Sequence, residues 1–178
     1  MKNPSGNFRK GGYNLKNLFL IRHAKSDWDA DFDNDHGRPL SDRGKKNAKA
    51  LSKFLSERDF SPAIAYVSDS RRTIQTHKIL SAYKSLSGKT IFTEKIYEAS
   101  LEEILSIIRN TNEKYDSILL VGHNPGLETF VNYLLGNKTG SVFAKFSTSA
   151  FASFDCEIET WNELKEGKGK LNLFWTHP

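Results

Sequence analysis

Three separated stretches of this chain place cationic or ring-nitrogen side chains where an anion could be held or attacked. Leu18 to Ile21 is an unbroken apolar run that ends in Arg22-His23, and Ser117 to Val121 is another that ends in Gly122-His123. A third run, Ile64 to Val67, leads through Ser68-Asp69-Ser70 into Arg71-Arg72. Short continuous apolar runs are the pattern of strands buried on both faces. In open α/β sheets ligands lie outside the carboxyl ends of the strands, so residues at such strand ends face a site rather than the core. Taken singly, each could equally be a surface arginine or a loop histidine satisfied by its neighbours. Two strands that each deliver a histidine to the same kind of position, with arginines beside them, favour a site for an oxyanion. Arginine supplies planar, permanently charged donor forks that match such oxygens.

The segments RHA (Arg22–Ala24), RTIQT (Arg72–Thr76) and VGHNPG (Val121–Gly126), in that order, resemble the histidine phosphatase superfamily and, within it, the small SixA-type phosphohistidine phosphatases. The likeness runs from about Leu18 to the C-terminus. It implies a phosphoglycerate mutase-like fold and a phosphatase that works through a covalent phosphohistidine on His23. Arg22, Arg72 and His123 would then bind the phosphoryl group, with no metal or other cofactor. Arg72 matches the family arginine, whereas Arg71 has no match and reads as a solvated helix-start residue. Arg43-Gly44 is placed near the cleft without a catalytic role, Gly44 serving close packing of its helix on the first strand. Larger relatives use a carboxylate after a comparable strand as general acid, and the small branch often lacks it. Glu98, just ahead of a helix, is the candidate here, and a solvated loop carboxylate is the alternative. Ala24 stands where larger relatives have glycine, so that position does not require a positive φ.

The chemistry asks for such residues. Phosphoryl transfer is catalysed mainly by positioning and by electrostatic stabilisation of the nonbridging oxygens. A neutral imidazole nitrogen can attack phosphorus in line and hold the group as a phosphoramidate, which gives His23 its role. Nearby cations lower its pKa, so the unprotonated nucleophile persists at neutral pH, and a backbone carbonyl is expected to accept from the other ring nitrogen. His123 is expected as a third donor, backed by a helix dipole. The expected substrate is a phosphohistidine on a protein, with a small phosphoester second. A noncatalytic module binding phosphate or a phosphoprotein is the reading from a different class.

These residues need a scaffold, and the rest of the chain is long enough to build it. The 178 residues suit one domain, residues 17–178, preceded by a polar, basic arm or leader over Met1–Lys16. The formal charge of +5 suits an anionic substrate, and no basic block interleaved with aromatics marks a nucleic-acid module. No apolar run is long enough to span a membrane. The single cysteine, Cys156, reads as a small core hydrophobe and agrees with a cytoplasmic location.

Ser41 caps a helix whose Ala48, Leu51, Phe54 and Leu55 recur at helical spacing, and a second helix is expected from Arg71 to Tyr83. Thr90–Phe92 reads as a short strand. Ser100 and Glu103 form a capping box for a helix with Leu101, Ile104, Leu105 and Ile108 inward. After His123, Asn124 is the expected N-cap, with Pro125 at the first helical position and Gly136 closing the end. Val142 to Phe154, with Ser147-Thr148-Ser149 in its middle, reads as one or two strands, and Leu171–Trp175 as the last. Strand runs alternating with amphipathic helices predict a three-layer α/β/α domain with a mixed, largely parallel sheet. Between the first strand and first helix lies an acidic loop, Ser26 to Arg38. Its Asp31, Asp33, Asp35 and Asp42 have calcium-loop spacing, but His36 stands where that loop needs glycine. A solvated acidic rim is the better expectation, one that would favour substrates carrying positive charge near the phosphate.

Overall fold

The computed structural model of the chain describes residues 9–10, 13–58, 60–82, 86–136 and 145–177. Its frame is a six-stranded sheet of β1 (Lys16–Arg22), β2 (Ile64–Ser68), β3 (Lys89–Thr93), β4 (Ser117–Gly122), β5 (Phe151–Cys156) and β6 (Gly169–Trp175), in the spatial order β3-β2-β4-β1-β5-β6. The first four in that order pair in parallel, and β5 and β6 join antiparallel. Among the described residues four helices cover the sheet: α1 (Asp42–Ser56), α2 (Arg71–Leu80), α3 (Leu101–Arg109) and α4 (Gly126–Leu135). The architecture is the expected three-layer α/β/α with a mixed, largely parallel sheet.

The unbroken apolar runs explain themselves in this setting. Leu18, Leu20, Ile118 and Leu120 pack with Ile104, Ile108, Leu127 and Phe130 of α3 and α4. Ile21, Leu119 and Val121 point the other way, against Leu51 and Leu55 of α1 and Leu80 of α2. A strand apolar on both faces has no alternation to set its register, so the register must come from its polar ends. At the start of β1, Lys16 is buried over the Trp161 ring, with Nζ 2.8 Å from Glu113 Oε2 and 3.3 Å from Asp116 Oδ1. At the other end sit Arg22 and His23. Lys16, assigned above to the leader, is thus the first residue of the central strand. Within the same stretch Arg9–Lys10 and Tyr13–Asn14 pair as short antiparallel strands.

Ser41 caps α1 as expected, its Oγ accepting from Gly44 N at 3.1 Å, and Ser100 and Glu103 form the capping box of α3. Other boundaries shift. Helix α2 stops at Leu80, and Tyr83 lies outside the described residues. Helix α4 begins at Gly126, with Pro125 in the cap position and no side-chain cap. Asn124 does not cap it, because its Nδ2 donates instead to the Phe146 carbonyl at 3.0 Å. Of the expected strand over Val142–Phe154, Val142 to Ala144 fall outside the described residues, and Ser147–Ser149 form a turn ahead of β5. Ser149 has φ +62, a left-handed conformation uncommon for a residue with a Cβ. Its N–H donates to both the Arg22 and His23 carbonyls, at 3.2 and 3.1 Å, so the turn is fastened to the end of β1.

Helix α1 is fastened to the same strand end through Gly44. A Cβ there would stand 2.0 Å from the Lys25 carbonyl oxygen, which no rotamer can relieve. Gly44→Ala is therefore expected to lower unfolding free energy by roughly 1–3 kcal/mol, as overpacking does. Denaturant unfolding measures it, and a wild-type midpoint would contradict the close approach.

Candidate active site

The register of β1 on β4 brings the two histidines together. Arg22 pairs with Gly122, His23 N donates to Gly122 O at 3.0 Å, and the residues that follow each strand lie side by side. The His23 and His123 rings stand 4.9 Å apart between centroids. Strand β2 pairs with β4 up to Val67 and Val121, which sets Ser68 and the start of α2 beside them. Arg72, in the first turn of α2, points Nη2 at His123 Nδ1, 3.4 Å away. Arg22, His23, Arg72 and His123 therefore surround one place at the carboxyl ends of β1, β2 and β4.

His23 is 7% exposed, and its Nδ1 lies 2.7 Å from the Ala24 carbonyl. A carbonyl can only accept, so Nδ1 carries the proton and Nε2 keeps its lone pair. Burial, first, and then the Arg72, Arg22 and Arg38 charges hold the His23 pKa down to about 3. Burial outweighs the cations that sequence reasoning had credited. His123 is lowered to about 2 by burial and by His23 and Arg72. Its Nε2 shares a 2.8 Å hydrogen bond with Ser68 Oγ. With Arg72 donating to Nδ1, His123 is a neutral acceptor at that nitrogen rather than the expected donor. The ring proton then sits on Nε2 and is donated to Ser68 Oγ; if an anion takes over the Arg72 donor, proton exchange through solvent can shift it from Nε2 to Nδ1, with Ser68 Oγ–H turning to donate to Nε2.

The two guanidiniums hold unspent donors. Arg22 Nη1 donates to the Phe146 carbonyl at 2.9 Å, whereas Arg22 Nε and Arg72 Nε are buried without a hydrogen-bond partner among the described residues. Buried donors without acceptors are rare and costly, and a bound oxyanion would satisfy both. The rest of the RTIQT segment is structural. Gln75 Oε1 accepts from Leu40 N at 2.7 Å, and Thr76 Oγ1 accepts from Ala24 N at 3.0 Å while donating to Arg72 O at 2.7 Å. Thr76 thus ties the residue after the nucleophile candidate to the backbone of the arginine. Arg71 and Arg43 are exposed.

Glu98 does not join the group. It is exposed at a turn with φ +49, and among the described residues it makes no hydrogen bond or ion pair. Its neighbour Tyr97 does join: the phenol ring stands 5.3 Å from the His123 ring, edge to face, and its hydroxyl donates to Asp35 Oδ2 at 2.9 Å. Asp35 also accepts from Arg72 Nη2 at 2.9 Å and from Arg38 Nε at 3.0 Å. The acidic loop is therefore not merely a solvated rim: the Asp35 carboxylate, one of those with calcium-loop spacing, accepts from two arginines and a tyrosine. Among the described residues no three His, Cys, Asp or Glu side chains cluster as a metal site would. Arg38, Tyr97 and Ser68 were not singled out in the sequence as site residues, Asp35 figured there only as a calcium-spaced aspartate and Thr76 only as the end of the RTIQT segment; the i, i+3 spacing of Asp35 and Arg38 is the one local signal of their pairing.

Comparison with known proteins agrees with the geometry. Residues 18–105 match the family model of the histidine phosphatase superfamily, branch 1. Over that stretch the chain is similar to the histidine phosphatase superfamily. A chloroplast protein of Arabidopsis thaliana with no assigned function is 31% identical over 130 residues, 68% of this chain and 60% of that protein. Among solved structures, a candidate phosphohistidine phosphatase SixA from Nakamurella multipartitia superposes with a TM-score of 0.78 at 22% identity, covering 93% of this chain and 97% of the other. A protein histidine phosphatase SixA solved with tungstate gives 0.73 at 22% identity, covering 89% and 95%. This histidine phosphatase fold is thus that of the small SixA-type proteins. Among its described residues no helix is long and apolar enough to cross a membrane.

The neutral histidines make stability depend on pH. Both folded-state values lie below the unfolded value of about 6.5, so below that pH the unfolded chain takes up protons the folded chain refuses. The contribution is complete above about 6.5 and is lost as pH falls towards about 3, with a slope approaching about 1.4 kcal/mol per pH unit per histidine. His123→Gln is expected to remove one such contribution from the slope between about pH 5 and 6.5, read by urea unfolding at each pH. An unchanged slope would contradict a neutral buried His123.

Proposed function

We propose that this protein is a phosphatase that transfers a phosphoryl group to His23 and then to water. The observation that carries the reading is the Ala24 carbonyl holding Nδ1 of a buried, neutral His23, which leaves the Nε2 lone pair beside Arg22 and Arg72. Nε2 attacks phosphorus as the bond to the leaving group breaks, forming a phosphoramidate. Water then attacks phosphorus from the opposite side, phosphate departs, and Nε2 recovers its lone pair. The Nε–H groups of Arg22 and Arg72 meet the nonbridging oxygens, and His123 donates from Nδ1 once Ser68 Oγ–H turns to its Nε2. The guanidiniums supply the positive charge, so no step calls for a metal ion.

The proposed substrate is a phosphohistidine on a protein. An alkoxide leaving group needs a proton from a general acid, typically worth about a hundred- to ten-thousandfold in rate. A phosphohistidine leaves as an imidazole whose second nitrogen is already protonated near neutral pH, so a site without an engaged acid suits it. Glu98, exposed and without a hydrogen bond or ion pair among the described residues, supports that choice. A SixA protein of the same fold was solved with tungstate, an oxyanion, which supports a phosphate-like ligand for this fold.

His23→Ala should abolish turnover, and Arg72→Ala should cost about a hundred- to thousandfold in kcat. Glu98→Gln should slow phosphohistidine and alkyl phosphate hydrolysis little and to similar extents. A large loss confined to alkyl phosphates would make Glu98 a general acid and favour a small phosphoester as the substrate. Phosphate binding with no turnover would mark a noncatalytic module. Activity should survive EDTA, and inhibition reversed by added metal would contradict the scheme.

A further inference from the structure

Arg72 has five N–H bonds arranged along two edges, an end edge formed by Nη1 and Nη2 and a side edge formed by Nε and Nη2. Asp35 takes the end edge twice. Its backbone carbonyl accepts from Nη1 at 2.6 Å and its carboxylate Oδ2 from Nη2 at 2.9 Å. The side edge faces His123, through Nη2 at 3.4 Å, and contains the Nε–H that no described residue accepts. The clamp thus spends one edge to aim the other.

Asp35 is itself held by two other side chains. Oδ1 accepts from Arg38 Nε at 3.0 Å and from Arg38 Nη2, while the Tyr97 hydroxyl donates to Oδ2 at 2.9 Å. Arg38 is 6% exposed, donates to Ser26 Oγ at 2.6 Å, and stacks its guanidinium 3.4 Å from the Trp28 ring centroid. The segment is also closed by His36, whose Nε2 lies 2.8 Å from Asp69 Oδ1, and by Leu40 N on Gln75. The contacts of His36, Leu40 and Asp35 with Asp69, Gln75 and Arg72 join the loop after β1 to α2 and the strand end before it, while those of Arg38 with Asp35, Ser26 and Trp28 brace the loop from within. A long arginine side chain left to itself samples many rotamers, and misplacing a donor by about 1 Å can cost about a hundredfold in rate.

We infer that Asp35 is a positioning residue that clamps the end edge of Arg72 and thereby presents its Nε–Nη2 edge to a phosphoryl oxygen on the His123 side. The inference rests on the phosphatase reading. It assigns the acidic loop a part in catalysis that acts through Arg72, without contact to the substrate.

A double-mutant cycle on the whole protein tests it, with para-nitrophenyl phosphate and a phosphohistidine peptide as substrates. Asp35→Ala should lower kcat about ten- to hundredfold with KM changed far less, because the lost alignment matters most in the transition state. In an Arg72→Ala background the same substitution should change kcat less than about twofold, since the residue it acts through is gone. Asp35→Asn, which preserves shape and one acceptor, should fall between wild type and Asp35→Ala and show the same silence beside Arg72→Ala. It carries the test if the alanine variant does not fold, as thermal melting would reveal. Equal losses with and without Arg72 would overturn the assignment and leave Asp35 a structural loop residue. A wild-type protein without turnover on either substrate would instead overturn the phosphatase reading, so the two failures are distinguishable.

Discussion

Buried positive charge is the constraint on which the rest of this structure depends. Arg72 and Arg38 are almost wholly buried, Arg22 is partly so, and they converge on one end of the sheet. Isolated charges withdrawn from water are expensive, and guanidiniums cannot neutralise themselves by losing a proton. The protein answers in two ways. It gives the arginines acceptors, in the carbonyls of Phe146 and Asp35 and the carboxylate of Asp35, and it keeps the histidines among them neutral. A third response, an anionic ligand on the remaining donors, is the proposed function. Burial first, and then the same charges that would be a liability in a passive core, keep His23 a free base at neutral pH.

Holding such a cluster still needs a frame that does not yield. The parallel strands supply it, since β1, β2 and β4 lie buried between two helical layers and a packed interior transmits little slack. Around the carboxyl end of β1 the frame is reinforced at closely spaced points. Ser149 N–H holds the carbonyls of Arg22 and His23, Thr76 Oγ1 holds the amide of Ala24, and Gly44 lets α1 touch the Lys25 carbonyl. The backbone from Arg22 to Lys25, which carries the nucleophile candidate, is thus tied to the turn before β5, to α2 and to α1. Such preorganisation is what electrostatic catalysis requires, because donors already in place need no reorganisation during the reaction.

Much of this was legible in the chain. The apolar runs ending in Arg22-His23 and Gly122-His123 marked β1 and β4, and the parallel register turned that shared pattern into spatial adjacency. Caps with local signatures, Ser41 and the Ser100–Glu103 box, were also readable, because their hydrogen bonds close within one helical turn. What escaped depended on distant partners. Asn124 has a fine N-cap sequence, yet its amide is claimed by the Phe146 carbonyl from another segment. Asp35 looked like one aspartate among several in a solvated loop, since no spacing rule reveals that Arg72, 37 positions on, will face it. Glu98 drew attention by its position before a helix, while the residue that turns inwards is Tyr97.

The central claim is that His23 Nε2 becomes phosphorylated because the Ala24 carbonyl occupies Nδ1. The most direct measurement is a rapid alkaline quench of the protein during turnover of a phosphohistidine peptide, followed by peptide mapping and phosphorus NMR of the trapped phosphoramidate. The account predicts one acid-labile, base-stable phosphoryl group, on His23 and on its Nε2. Phosphate attached through Nδ1, carried by His123, or never found on the protein during sustained turnover would contradict it.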